Sequence, residues 1–317
     1  WLLGSLGLNL CFAFTNFKIV FPTKLLNPIF LIVGIILGGT LNVTLLYKIH
    51  LWIFSSLAML ICTIVSTILA GYYFFKVCKF SKFISVLAAL PGAFVPISAA
   101  LLEFGKSKND KGVLIPQATR VIFIVSFVPI FFINNLGFSE MSGYNYENIY
   151  NERYFLEILF LLIICFIFAN ILKNYKIPSP TLVGAMALSG AFYTFEIINA
   201  RFPDAFINIA FIFLGTALGT RLNGLKIKEL LFFIFHGIIV SSILVVVAMI
   251  TAYLLTYIGF EFIPTFLSFA PGGIHEMVVI SVAYNIDPIF VSYHHFLRIF
   301  IIVLFLPFLL SKFRKTN

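Results

Sequence analysis

Ala270-Pro271-Gly272-Gly273 repeats the pattern of Leu90-Pro91-Gly92-Ala93 about 180 positions further along the chain. In each copy an arginine follows within an apolar run, Arg120 after the first stretch and Arg298 after the second. The copies also share glycine runs upstream and a proline downstream: 34–38 with 215–219, and Pro129 with Pro307. Internal duplication of this kind in a membrane protein is typical of two halves that fold alike around a shared site, often a transport pathway.

The composition indicates a polytopic α-helical membrane protein. Hydrophobic residues make up 61% of the 317 positions and charged residues 10%, and the mean hydropathy is +1.08. Apolar runs of roughly twenty residues recur along the chain, which is the length that a helix needs to cross about 30 Å of hydrocarbon. The lipid bilayer is therefore the first partner that the sequence predicts.

The net charge of +9 does not point to nucleic acid. Lys and Arg residues lie mostly in the short connections between apolar runs, and the sequence shows no basic soluble domain.

The four cysteines lack metal-ligand spacing and are interpreted as buried apolar thiols: Cys11, Cys62, Cys78 and Cys165. No cofactor and no catalytic residue is predicted. Because Trp1 already lies in an apolar run, we expect a further span ahead of it.

The duplication divides the chain into a first membrane repeat, 1–133, a polar extracytoplasmic linker, 134–152, and a second membrane repeat, 153–317. Each repeat holds one stretch broken by proline and glycine, 83–102 and 262–284. If these stretches cross the membrane fully, the halves are parallel; if they are re-entrant hairpins, the halves are inverted. The hairpin interpretation gathers nearly all Lys and Arg on one side. The positive-inside rule therefore favours two inverted repeats of about five transmembrane helices each, with a cytoplasmic C-terminus.

The backbone at Pro91-Gly92 and at Pro271-Gly272-Gly273 is predicted to bind substrate. A proline followed by glycine at membrane depth leaves amide and carbonyl groups unpaired, which is tolerated only where protein or a water-filled cavity covers them. The half-helix after each break directs N-terminal amides and a positive dipole end at that cavity. Two such ends from inverted halves predict an anion site near the midplane. The alternative is a simple proline kink inside a packed helix.

Arg120 and Arg298, one in each half, complete the predicted substrate site. Ionisable groups at this depth are costly and usually face a partner or a pathway. A guanidinium group presents a planar fork of donors that matches a carboxylate, so the pair is predicted to hold a small anionic organic solute. Alternatively, Arg298 could form a purely structural ion pair with Glu276.

Ionisable residues of the second copy are predicted to bind a coupling ion or proton: His275, Glu276, His294 and His295. In the first copy Val95-Pro96 replaces His275-Glu276, and Gln117 replaces His295. We therefore expect a lopsided site, in which one half binds the ion and both hold the substrate. The histidines could ligate a metal in principle, but they lack a tight two-histidine-plus-carboxylate spacing, and no metal site is predicted.

The run from Ala270 to Met277, Ala-Pro-Gly-Gly-Ile-His-Glu-Met, resembles the signature of the membrane AbrB-duplication family, a bacterial group. The stretches 214–219 and 296–299 fit the same pattern, and the resemblance covers nearly all of the chain in two copies. It implies a multi-pass protein of the bacterial cytoplasmic membrane. The labels of that family, AidB regulator and ammonia monooxygenase, imply regulation of gene expression or ammonia oxidation. The first copy lacks the glutamate, so any role carried over for that residue attaches only to Glu276.

Transport is the function that the residues favour, by a secondary transporter or facilitator of a small anionic organic solute. A transcription regulator would need a DNA-reading module, which the sequence does not contain, although a membrane-embedded regulator acting through a partner protein stays open. A membrane monooxygenase would need a cluster of metal ligands. Glycine-rich faces on 180–198 and 205–222 suit close packing either within the chain or in a homodimer.

Overall fold

The computed structural model describes residues 1–13, 20–39, 43, 47–103, 110–136, 152–174, 180–222, 225–284 and 286–314. Within these ranges the chain is helical and contains no strand. The α-helices are numbered in chain order: α1 (Leu2–Ala13), α2 (Leu26–Gly38), α3 (Ile53–Lys76), α4 (Lys82–Ala89), α5 (Phe94–Glu103), α6 (Asp110–Leu136), α7 (Glu152–Asn174), α8 (Pro180–Thr194), α9 (Asp204–Gly219), α10 (Ile227–Thr256), α11 (Phe262–Phe269), α12 (Ile274–Ala283) and α13 (Pro288–Arg314). The predicted linker, 134–152, lies almost wholly outside the described residues.

Among the described residues, five helical stretches are long and apolar enough to cross a membrane: Ile49–Lys76, Asp110–Phe131, Tyr154–Lys173, Ile227–Thr256 and Pro288–Leu306. This confirms the prediction of a helical membrane protein. The stretches within α6 and α13 are the most buried of the five, whereas those within α7 and α10 expose most of their surface, which suits contact with lipid. The two predicted substrate arginines therefore stand on the two innermost long helices.

Glycines let α2 approach α8 closely. A Cβ atom added at Gly34 would lie 2.6 Å from the carbonyl O of Leu182. One added at Gly38 would overlap Ser189 Oγ and lie 2.6 Å from the backbone N of Gly190. Small residues at such positions let membrane helices pack backbone to backbone.

Two glycines of the second half also serve packing within the chain. A Cβ at Gly184 would lie 2.9 Å from Leu172 Cδ1 of α7, and one at Gly219 would overlap the side chain of Asn9 on α1. These contacts give both glycines an intramolecular role. The alternative role, in a homodimer, stays a prediction.

Each Pro-Gly stretch joins two short helices, α4 to α5 and α11 to α12. The residues that flank these pairs lie near each other. Before α11 and after α12, the ring centroids of Phe260 and Phe290 are 6.4 Å apart. Before α4 and after α5, a Cβ at Gly112 would lie 3.7 Å from the ring of Phe80. The residues just before and just after each broken segment thus lie close to each other.

Candidate functional site

The first short helix, α4, ends in carbonyl groups that its own backbone cannot satisfy. A helical N–H at position 91 would bond the carbonyl O of Leu87, but Pro91 has no N–H. Gln117 on α6 replaces it, since its Nε2 donates to that oxygen at 2.5 Å. One turn further along, Arg120 donates from Nη2 to the carbonyl O of Leu90 at 2.9 Å and from Nη1 to the preceding carbonyl at 3.5 Å. Both side chains therefore cap the C-terminus of α4.

The second short helix, α11, is capped in the same way from α13. Pro271 removes the donor that would reach the carbonyl O of Leu267, and His295 Nε2 donates to that oxygen at 3.1 Å. Arg298 Nη1 donates to the carbonyl O of Ala270 at 3.1 Å and to the preceding carbonyl at 3.2 Å. A cation at the C-terminus of a helix is also favoured by the helix dipole. The arginines thus have a structural role that sequence reasoning missed.

The capping pairs share one spacing, because Gln117 precedes Arg120 by three positions, as His295 precedes Arg298. The signal was present in the sequence: a proline that orphans a carbonyl, followed by a polar side chain one helical turn before a buried arginine. Gln117 and His295 occupy equivalent positions in the two copies. Their alignment alone does not show why both halves need a hydrogen-bonding side chain at that position.

The two arginines differ in how many of their donors are occupied. Besides its Nη1 bonds, Arg298 donates from Nη2 to the carbonyl O of Gly272 at 3.4 Å and to His295 Nδ1 at 2.7 Å. Toward the described residues, Arg298 therefore uses four of the five N–H groups of a guanidinium, whereas Arg120 uses two. Both Nε atoms are buried and have no hydrogen-bond partner among the described residues.

Both guanidinium groups are nearly inaccessible to solvent, since Arg120 and Arg298 are each 2% exposed. Among the described residues, no carboxylate forms a salt bridge with either of them. Burying a charge without a counter-charge is expensive, and carbonyl dipoles offset only part of that cost. The structural ion pair between Arg298 and Glu276 stays a prediction, because the Glu276 side chain lies outside the described residues.

A cavity of about 160 Å³ lies between the two breaks. Gly92, Gly272 and Gly273 form part of its wall, and Arg120 is the one charged side chain among the described wall residues. The first turns of α5 and α12 also border the cavity, so the N-terminal ends of two half-helices open onto it. The other described wall residues are apolar: Trp1, Leu37, Phe94, Val95, Pro96, Val121, Phe211, Ile274 and Ile299. The cavity thus combines a cation and two positive helix ends with an apolar surround.

The remaining predicted substrate residues lie beside this cavity rather than in its wall. Pro91 and Pro271 are buried and set the position of each break. Arg298 lies behind the first break, because a Cβ at Gly92 would be 2.7 Å from the Arg298 Cζ and Nε atoms. A Cβ at Gly272 would instead be 2.7 Å from Met277 Cε. The two breaks therefore have different neighbours despite their matched caps.

His294 and His295 are adjacent in sequence but bind different partners. His294 lies 2.8 Å from the carbonyl O of Phe290 through Nδ1 and 2.9 Å from Ser55 Oγ on α3 through Nε2. His295 donates from Nε2 to Leu267 and accepts from Arg298 at Nδ1. All four ring nitrogens are thus occupied, and neither histidine is part of the cavity wall.

His275 and Glu276 open α12, close in sequence to the second break. Their side chains lie outside the described residues. The coupling role of these two residues therefore stays a prediction.

Comparison with known proteins places this architecture in a family. A family model described as "Transition state regulatory protein AbrB" matches residues 1–314. The chain is also similar to "Uncharacterized protein YhjN" of Bacillus subtilis (strain 168), with 24% identity over 329 positions that cover 97% of this chain and 85% of that protein. The family match spans both breaks and both capping arginines.

Proposed function

Since the chain belongs to the AbrB family and its described part contains five helices long and apolar enough to span a membrane, we propose that it is an integral membrane transporter or facilitator of a small anionic organic solute. The solute binds in the cavity between the two helix breaks. The observation that carries the proposal is Arg120, a buried guanidinium in the wall of a cavity that two helix N-termini also border, with donors that no described residue occupies. An anion there supplies the counter-charge that the described residues do not.

The proposal includes two inverted repeats, each with a re-entrant hairpin, in a bacterial cytoplasmic membrane with the C-terminus inside. Matched contacts support it: α2 packs on α8 as α1 packs on α9, and α3 packs on α4 as α10 packs on α11. The short separation of Phe260 from Phe290 supports a segment that returns to the side from which it came. In carriers of this kind, one half rocks against the other around a fixed central site.

A coupling role for the ionisable residues of the second half is part of the proposal: His275, Glu276, His294 and His295. In this conformation, the two ring nitrogens of His295 contact the carbonyl O of Leu267 and the Arg298 guanidinium. Uptake driven by a pH gradient in proteoliposomes tests this role, with Glu276→Gln and His294→Gln as variants. Gradient-driven uptake at the wild-type rate in both variants would remove these two residues from the coupling step.

Uptake by purified protein in proteoliposomes tests the transport function itself. A panel of labelled acetate, benzoate, hexanoate and succinate is compared in wild type, Arg120→Ala and Arg298→Ala. Arg201→Ala is the matched control, because Arg201 is exposed and lies over the Tyr193 ring away from the breaks. We expect uptake in wild type and in the control, its loss in Arg120→Ala through the missing ligand contact, and its loss in Arg298→Ala through disruption of the second break. Normal uptake in both would remove the proposed site.

A second candidate function follows from the family's description, which names a regulatory protein. The cavity would then bind a signal molecule, and a partner protein would change transcription in response. Transcript profiles of a deletion strain, complemented with wild type or with Arg120→Ala, separate the transporter from the regulator. Regulation without any uptake in proteoliposomes would favour the regulator.

A further inference from the structure

On the premise of the proposed carrier, we infer that its substrate is a singly charged carboxylate with an apolar body, of up to about ten non-hydrogen atoms in all. The carboxylate binds Arg120, whereas Arg298 holds the second break in shape. The duplicated arginines have therefore diverged: one binds ligand and the other is structural.

The division of roles rests on the donors of each guanidinium. Arg298 spends four N–H groups on three carbonyl oxygens and on His295, and it stands outside the cavity wall. Arg120 spends two and belongs to the wall. Toward the described residues, three of the five N–H groups of its fork stay unused, enough for the paired hydrogen bonds that a carboxylate accepts.

The charge of the ligand follows from the charge of the wall. Arg120 is the one charged side chain among the described wall residues, and its own partners are neutral carbonyls. One negative charge neutralises it. A second carboxylate on the same ligand would have to leave water for a wall in which the described residues hold no second cationic side chain, which is unfavourable. A cationic ligand would be repelled.

The body of the ligand follows from the rest of the wall and from its size. Aromatic and aliphatic side chains such as Phe94, Phe211 and Ile299 cover most of it, so a hydrocarbon group is stabilised there by leaving water. A water molecule needs about 10–15 Å³ of such space. A cavity of about 160 Å³ accordingly accepts on the order of ten non-hydrogen atoms. Hexanoate and benzoate fit within this limit.

Binding to the full chain in detergent tests the inference independently of transport. Calorimetry and thermal shift are run with hexanoate and with three probes of similar size: succinate, hexylamine and hexanamide. We expect hexanoate to bind at least tenfold more tightly than each of them. Along the series from butanoate to octanoate, affinity should rise by up to about fourfold per methylene group and then fall for dodecanoate. Equal binding of succinate or hexylamine, or no binding of hexanoate, overturns the inference.

Variants test the division between the arginines. Arg120→Gln should weaken hexanoate binding at least tenfold, whereas the control Arg201→Gln should leave it unchanged. Arg298→Gln should lower the melting temperature of the free protein while the folded fraction binds hexanoate within about threefold of wild type. Equal affinity of wild type and Arg120→Gln contradicts the assignment. If Arg120→Gln does not fold, the ligand panel on wild type still decides the ligand class.

The outcomes separate this inference from the proposed function. Hexanoate that binds through Arg120 without being taken up into proteoliposomes contradicts the carrier and supports the ligand class. Uptake of another solute, with no binding of hexanoate, contradicts the ligand class and leaves the carrier standing.

Discussion

Gly92 in the first break packs directly against the guanidinium group of Arg298 from the second half. Its φ of +71° lies in the left-handed region, where side chains are disfavoured, and no space exists for a Cβ atom. The contact joins the two breaks at the point where the cavity lies. Glycine is therefore required at position 92 both by the backbone and by a partner from the other half of the chain.

Gly92→Ala tests this contact. The left-handed backbone costs an alanine about 1–2 kcal/mol, and displacement of Arg298 adds to that, so the melting temperature in detergent should fall clearly. Gly71→Ala is the matched control, because the nearest atoms to its new Cβ lie at 3.8 Å, an ordinary contact. Equal melting temperatures for the two variants would contradict the described packing of Arg298.

His295 should tolerate glutamine better than leucine. In the first half, Gln117 already caps the equivalent carbonyl group. A glutamine at position 295 can likewise donate from its amide nitrogen to the carbonyl O of Leu267 and accept from Arg298 at its amide oxygen. Leucine would leave that carbonyl unsatisfied, at about 1–3 kcal/mol. Thermal unfolding of His295→Gln and His295→Leu decides the point, and equal destabilisation by both would argue against a capping role.

The close approach of α2 to α8 predicts that Gly38→Ala destabilises the protein by about 1–3 kcal/mol. The new methyl group would meet backbone atoms of α8, which cannot move aside as a flexible side chain can. Gly4→Ala on α1 serves as the control, since nothing lies within 4 Å of its Cβ. A melting temperature of Gly38→Ala at or above that of the control would refute this interface.

Asp287 caps α13 and pairs with Lys48. Its Oδ1 accepts from the backbone N of Ile289 at 2.9 Å, and its Oδ2 lies 3.0 Å from Lys48 Nζ. Asp287→Asn keeps the cap and loses only a half-exposed ion pair, so it should cost less than about 1 kcal/mol. Asp287→Ala loses the cap as well and should cost about 1 kcal/mol more. Thermal unfolding compares them, and the reverse order would show that the ion pair dominates.

Cys78, between α3 and α4, should react slowly with maleimide. Burial raises the pKa of its thiol to about 11, because a buried thiolate loses solvation. At pH 8 only a small fraction is thiolate, and the rate should rise about tenfold per pH unit until the pKa is reached. Labelling of a variant that retains only Cys78, compared with glutathione, measures this. A rate equal to that of glutathione at pH 8 would contradict the burial.

The sequence predicted the helical membrane class and the family, and both are confirmed. These predictions succeeded because apolar run length and the Ala270–Met277 signature are local properties of the chain. The capping roles of Gln117 and His295 were missed although their spacing from the arginines is visible in the sequence, because that spacing does not show which short helix packs beside α6 and α13. The unequal use of donors by Arg120 and Arg298 depends on side-chain conformation, which two similar local sequences do not specify.

Crystals grown with 6-bromohexanoate give the most direct measurement of the central claim, because the bromine marks the ligand by its anomalous scattering. We predict one carboxylate within about 3 Å of the Arg120 guanidinium, with the bromine among the apolar side chains of the cavity between the breaks. A saturating ligand bound elsewhere, with the cavity unoccupied, would contradict an anion site at Arg120.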